Sequence, residues 1–147
     1  MERIERTALR NLIHNEEYSR KVLPFIKEDY FSDRLERLLF KEIYKFITKF
    51  NALPTKEALS IEINDSKDIN EDEYKKVTDI IATLNPEKIN LEWLVETTEK
   101  FCKDRAIHNA ILSGIQIIDG KDKKHTPEYL PDLLSDALSV SFDQKVG

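Results

Sequence analysis

Apolar and polar positions alternate along this chain with a helical period almost throughout. The longest uninterrupted pattern is NLEWLVETTEKFCKDRAIHNAILSGIQIIDG, from Asn90 to Gly120, which contains no proline. Asn90 suits an N-cap, Glu92 lies in the first turn where the helix dipole favours an anion, and Gly120 stands where a C′ glycine would end the run. About 29 residues at 1.5 Å per residue predict a helix roughly 43 Å long. Its first half places Leu91, Leu94, Val95, Thr98, Phe101 and Cys102 on one stripe. Its second half places Ile107, Ala110, Ile111, Gly114, Ile117 and Ile118 on nearly the opposite stripe, with Leu112 and Ile115 apolar elsewhere. A buried face that changes sides midway implies a helix that begins on a compact lobe, projects from it, and is covered in its far half from more than one direction.

The rest of the chain supplies the lobe and a returning arm. Glu2 to His14 carries Ile4, Ala8, Leu9, Leu12 and Ile13 at helical spacing, with Asn15 as a stop or cap. Glu16 to Leu23 forms a second helix, limited by Pro24, and PFIKEDYF follows as an irregular or one-turn segment burying Phe25, Ile26, Tyr30 and Phe31. Ser32 is expected to cap the next helix, with Asp33 at its first position and Leu35, Leu39, Ile43, Phe46, Ile47 and Phe50 on one core stripe. Thr55 opens a short helix through Ala58 and Leu59, and the acidic stretch Asn64 to Glu73 reads as a solvated connection. Asn70 caps a helix from Glu71 to Leu84 that buries Tyr74, Val77, Ile80, Ile81 and Leu84. After Gly120, KDKKHTP is turn-like, Pro131 fits the first position of a last helix, and Leu130, Leu133, Leu134, Ala137, Leu138 and Val140 form its stripe. The predicted architecture is therefore all-α: a helical lobe over residues 1–90, an antiparallel hairpin over 91–143, and the start of a linker at 144–147.

Two antiparallel helices cannot cover apolar side chains spread around residues 107–118. A second copy of the hairpin would, in a closed isologous contact. The candidate interface comprises Ile107, Ala110, Ile111, Gly114, Ile115, Ile118, Leu130, Leu133, Leu134, Ala137 and Leu138.

Composition sharpens this picture. The chain has 147 residues, 40% of them apolar and 35% charged, enough for one domain with a real core. Three glycines and five prolines speak against a sheet-rich fold with many tight turns. A net charge of −5 and a pI near 5.3 do not describe a domain that grips DNA by itself, so protein partners are expected. The single cysteine, Cys102, allows no internal disulfide, which fits a reducing cytosol, and no signal peptide or membrane-length apolar run is present.

The chemistry-bearing residues form no catalytic constellation. Gly114, Gly120 and Gly147 belong to no P-loop, dinucleotide fingerprint or nucleophile elbow, so this chain is expected to be neither an enzyme nor a cofactor binder. His14, His108, His125 and Cys102 are not at zinc-site spacing, and the acidic stretch lacks the glycine and register of a calcium loop. Cys102 reads as a buried small hydrophobe and His108 as a surface imidazole. Lys121, Lys123, Lys124 and His125 cluster at the expected hairpin tip, beside Asp119 and Asp122, and are a candidate partner contact set against a plain solvated turn. Arg105, on the first apolar stripe, is expected to pair with a carboxylate or to cap carbonyls. Trp93, Phe25, Phe31, Phe40 and Tyr44 read as core or lobe-surface aromatics among which a groove could form.

In order and length these pieces resemble the amino-terminal domain of DnaB-type replicative helicases. The resemblance is carried by IKEDYFSDRLERLLFKEIYKFITKFNALPTKEAL, by LEWLVETTEKFCKDRAIHNAI with its Arg105, and by PDLLSDALSVSFD, and extends over essentially the whole chain. It is strongest toward T-even-like phage helicases, around Glu92 to Ala110 and Ala137 to Gly147. The resemblance implies hairpins pairing subunits into dimers, three dimers forming a collar over six motor domains, and contacts to primase and to a helicase loader. It also implies ATP or GTP with magnesium, and single-stranded DNA, for a motor domain absent from this sequence, and a location in the bacterial host's cytoplasm. The other readings are a free-standing helical adaptor that regulates a replicative helicase, and a metal- or nucleotide-dependent enzyme of unfamiliar type.

Overall fold

The computed structural model describes residues 2–142, so the expected linker at 144–147, and residue 143 at the hairpin's end, lie outside the described residues. Within them the chain is all-α, as its periodicity predicts: α1 (Ile4–His14), α2 (Glu16–Val22), a 3-10 turn (Glu28–Tyr30), α3 (Arg34–Phe50), α4 (Lys56–Asn64), α5 (Glu71–Thr83), α6 (Leu91–Ile118), a second 3-10 turn (Pro127–Tyr129) and α7 (Leu130–Leu138).

Local chemistry sets most helix boundaries. The side chains of Asn15, Thr55 and Asn90 accept the backbone N–H groups of Tyr18, Ala58 and Trp93. Asn70 closes a full capping box, accepting from Glu73 N while the Glu73 carboxylate takes the Asn70 N–H. The cap of α3 is a correction: Asp33, not Ser32, accepts the Glu36 N–H at 3.0 Å, so Asp33 stands before the helix and Arg34 opens it. Helix α4 runs on to Asn64 rather than stopping near Leu59, and Pro131 occupies the second position of α7, because a 3-10 turn leads into it. At the far end of α6, Gly120 adopts φ 74°, with Gly120 N–H bonded to the Ile117 carbonyl and Lys121 N–H to that of Gln116. Those two bonds make a Schellman stop, in which glycine carries no Cβ penalty.

The core lies where α1, α2, α3 and the first half of α6 converge, with α4 and α5 closing it from the side of α3. Leu9, Leu12, Tyr18, Val22, Phe31, Leu39, Ile43, Leu59, Leu84, Leu94 and Cys102 are fully buried. The expected stripe of α3 is only partly inside: Leu39 and Ile43 are buried, Leu35, Phe46 and Ile47 half-buried, and Phe50 is 53% exposed, resting on Phe46 with ring centroids 4.8 Å apart. Phe25, expected in the core, is half-buried and stacks instead on Phe142 at 5.2 Å. Tyr74 and Ile80 of α5 are likewise half-buried.

Polar pins fix how α6 leaves the lobe. Thr98 donates to the Leu94 carbonyl at 2.7 Å, so the Tyr18 hydroxyl, 2.8 Å away, donates to Thr98 in a fully buried pair joining α2 to α6. Arg10 donates to the Thr83 carbonyl and Asn11 to Glu87, while His14 lies 2.6 Å from the Leu84 carbonyl. Together they hold the loop between α5 and α6 on α1. Glu36 is wholly buried, its Oε2 receiving Arg3 at 2.7 Å and Arg6 at 3.1 Å, which ties the start of the chain to α3. Two turns beyond Thr98, Arg105 donates to the Tyr30 carbonyl at 3.1 Å and Asn109 to that of Asp29 at 2.8 Å. Spaced i, i+4, they share one side of α6 and fasten the first 3-10 turn to it.

Candidate subunit interface on the hairpin

Among the described elements, α7 and the 3-10 turn before it pack only on α6 and on each other, not on the lobe helices. The chain reverses at the Schellman stop, and α7 runs back along the far half of α6. Small residues allow the close approach. Ala110, Gly114 and Ile117 on α6 and Ala137 on α7 are buried between the two helices. A Cβ built on Gly114 would sit 3.2 Å from Leu130 Cδ2, so Leu130 lies close over the α6 backbone at this glycine.

The eleven interface residues expected from sequence thus divide. Ala110, Gly114 and Ala137 belong to the internal seam, and Ile107, Leu130 and Leu133 are half-buried beside it. Ile111, Ile115, Ile118, Leu134 and Leu138 point away from the seam and remain exposed, at 51%, 47%, 66%, 39% and 61%. On α6 the exposed three recur at i, i+4 and i+7, with Leu112 alongside at 50%; on α7 the exposed two are i, i+4. Leu112 and Ile117 are absent from the expected set. Ile117 was within reach of the wheel, since it follows Ala110 by seven residues and so lies close beside it on the inward side.

Each helix of the hairpin therefore carries a solvent-facing apolar row besides the one that holds the pair together. Most monomers do not leave such rows in water, because apolar area withdrawn from it yields roughly 25 cal/mol per Å². A second helical surface laid over both rows would bury them.

At the tip, the Asp122 carboxylate accepts Lys124 N–H at 2.7 Å, His125 N–H at 3.2 Å and lies 3.1 Å from His125 Nδ1. These bonds, the Lys124 amide first, hold its carboxyl below the usual range. His125 stacks on Tyr129 with centroids 4.2 Å apart. Lys121, Lys123 and Lys124 are all exposed around this ordered turn.

The other singled-out residues fall elsewhere. Cys102 is fully buried in the lobe, and burial pushes its thiol up to about 12 from 9.0, which makes it an inert core atom. His108 is exposed. Trp93 is 53% exposed at the start of α6, Phe31 and Phe40 are core, and Tyr44 is 44% exposed on α3. Among the described residues no group of three or more His, Cys, Asp or Glu side chains could hold a metal ion, and no helix is long and apolar enough to cross a membrane.

No family model matches the chain. It is similar to a DnaB-like replicative helicase of Enterobacteria phage T4, 31% identical over 95% of this chain. The chain spans 31% of that relative's length. The similarity points to the family that the sequence resembles, and the chain is consistent with a DnaB-type amino-terminal domain.

Proposed function

We propose that this chain is the amino-terminal collar domain of a hexameric phage replicative DNA helicase, which assembles subunits through its hairpin and docks primase during DNA replication. The observation that carries the reading is the pair of exposed apolar rows, Ile111, Ile115 and Ile118 on α6 and Leu134 and Leu138 on α7, on an arm that stands clear of the lobe. The similarity to a replicative helicase over nearly the whole chain supplies the context. In this reading two hairpins pair, three pairs close a collar, and the lobe and tip remain free for primase and a loader. Nucleotide hydrolysis with ATP or GTP and magnesium, and movement on single-stranded DNA, belong to a motor domain of the full protein, in the cytoplasm of the infected host.

Light scattering over a concentration series tests the assembly step. The chain is expected as a dimer or larger at tens of micromolar, an order-of-magnitude choice set by weak interfaces. Ile111→Asp is expected to run as a monomer with helicity unchanged, because an exposed position tolerates aspartate in the monomer while the pair would have to bury a charge. A wild-type monomer throughout would count against the hairpin as the contact. Charge reversal at Lys123 and Lys124 that left primase retention unchanged would remove the tip as its docking point.

A further inference from the structure

Away from the hairpin, two adjoining hollows of about 430 and 420 Å³ open on the lobe between α2 with its following loop and α3. Leu23, Pro24 and Tyr44 line both, so the two form one continuous groove with Tyr44 at its middle. The second hollow is floored by the buried Ile26 and Phe40, and its apolar lining ends in exposed lysines, Lys27, Lys41 and Lys45. Among the described residues, Lys27 and Lys41 have no carboxylate within ion-pair distance, and Lys45 reaches Glu42 at 3.8 Å. Against these three cations the lining holds one acid, Glu28. The lining of this hollow is thus net positive in a chain of net charge −5, while Lys41 and Lys45 also border a neighbouring hollow lined by Glu42, Glu62, Asp65 and Asp68. In the wall of the first hollow Ser19 is 3% exposed, and its hydroxyl has no hydrogen-bond partner among the described residues. Its oxygen lies beneath the surface of the wall, so it marks the depth of the hollow rather than a contact point.

We infer that the groove centred on Tyr44 docks an acidic peptide segment of a partner protein, which places one large apolar side chain over Leu23, Pro24 and Tyr44 and its carboxylates among Lys27, Lys41 and Lys45. The apolar floor supplies the anchor that a hot spot needs, and the lysines set orientation and on-rate. Single-stranded nucleic acid fits less well. It needs a long basic track with successive stacking rings, whereas this groove has one exposed ring, and Glu16 and Glu28 line its two hollows. This site is separate from the hairpin, and its test does not depend on subunit assembly.

The probe is a short fluorescein-labelled peptide of aspartates and glutamates around a central Leu-Phe pair, titrated with the whole chain and followed by fluorescence anisotropy. Saturable binding is expected, weakened at least about tenfold by replacing the Leu-Phe pair with glycines, by Tyr44→Ala, or by Lys41→Glu with Lys45→Glu. Circular dichroism on each variant guards against loss of fold. As a second readout, backbone amide NMR shifts caused by the peptide should gather around residues 19–27 and 40–48. Three results would overturn the inference: no saturable binding, equal binding by the glycine peptide or by the charge-reversed chain, or tighter binding of labelled oligothymidine than of the peptide.

Discussion

Tyr18 illustrates what single residues do in this molecule. Its ring fills the junction of α2 and α6, and its hydroxyl, held neutral by burial, bonds to Thr98. Tyr18→Phe keeps the ring but leaves the Thr98 oxygen without a donor. It should cost about 1–2 kcal/mol of stability, measured as a shift in urea midpoint at constant slope. Cys102 gives a prediction with a definite sign. Its folded pKa is raised from 9.0 to about 12, so the stability gained by keeping the thiol neutral is fully present below about pH 9 and is lost as pH climbs toward 12. Tyr30, raised by burial to about 12, acts in the same direction. Stability should therefore fall over that alkaline window, and Cys102 should resist thiol reagents in the native protein at pH 8 while reacting promptly in urea. The role of Cys102 as a buried hydrophobe was legible from its place on an apolar stripe. Glu36 was not, because nothing local announces that Arg3 and Arg6, some thirty positions earlier, will meet it across α1 and α3.

At the scale of elements, boundaries set by a side chain bonding to its own neighbourhood could be read directly, as Asn15, Thr55, Asn70, Asn90 and Gly120 demonstrate. Ser32 misled because Ser and Asp are both good caps standing side by side, and only the register of α3 against the core decides between them. The stripe of α3 overreached at Phe50 for a related reason. The helix outruns the lobe, so periodicity continues after the neighbours have stopped. In α6 the opposite stripes were visible in the sequence, but which small residues would face α7 depended on where that helix landed. Gly114 now has a role that can be tested. Gly114→Ala should change stability by less than about 1 kcal/mol, since the gain in helix propensity offsets a contact that the end of the Leu130 side chain can relieve. Gly114→Leu should spread the hairpin, lowering the thermal midpoint and exposing apolar surface to a dye such as ANS.

Across the whole molecule, an anchored lobe and a projecting arm have different surfaces. Pins such as Tyr18–Thr98, Arg105 to the Tyr30 carbonyl and the Phe142 N–H to the Glu99 carboxylate keep the root of the arm fixed. Among the described residues, nothing lies over its outer rows in a single copy. The all-α class and a far half of α6 needing cover were legible in the hydrophobic pattern. What covers the outer rows was not, because a pattern records the need for burial and says nothing of the partner. The most direct test of the proposed pairing is hydroxyl-radical footprinting of the chain at two concentrations, one well below and one within the tens-of-micromolar range expected for a weak interface. Ile111, Ile115, Ile118, Leu134 and Leu138 should lose reactivity at the higher concentration while Phe50, Ile61 and Trp93, which are comparably exposed on the lobe and at the root of α6, keep theirs. Unchanged reactivity along the hairpin, or protection that falls on Phe50, Ile61 and Trp93 instead, would contradict it.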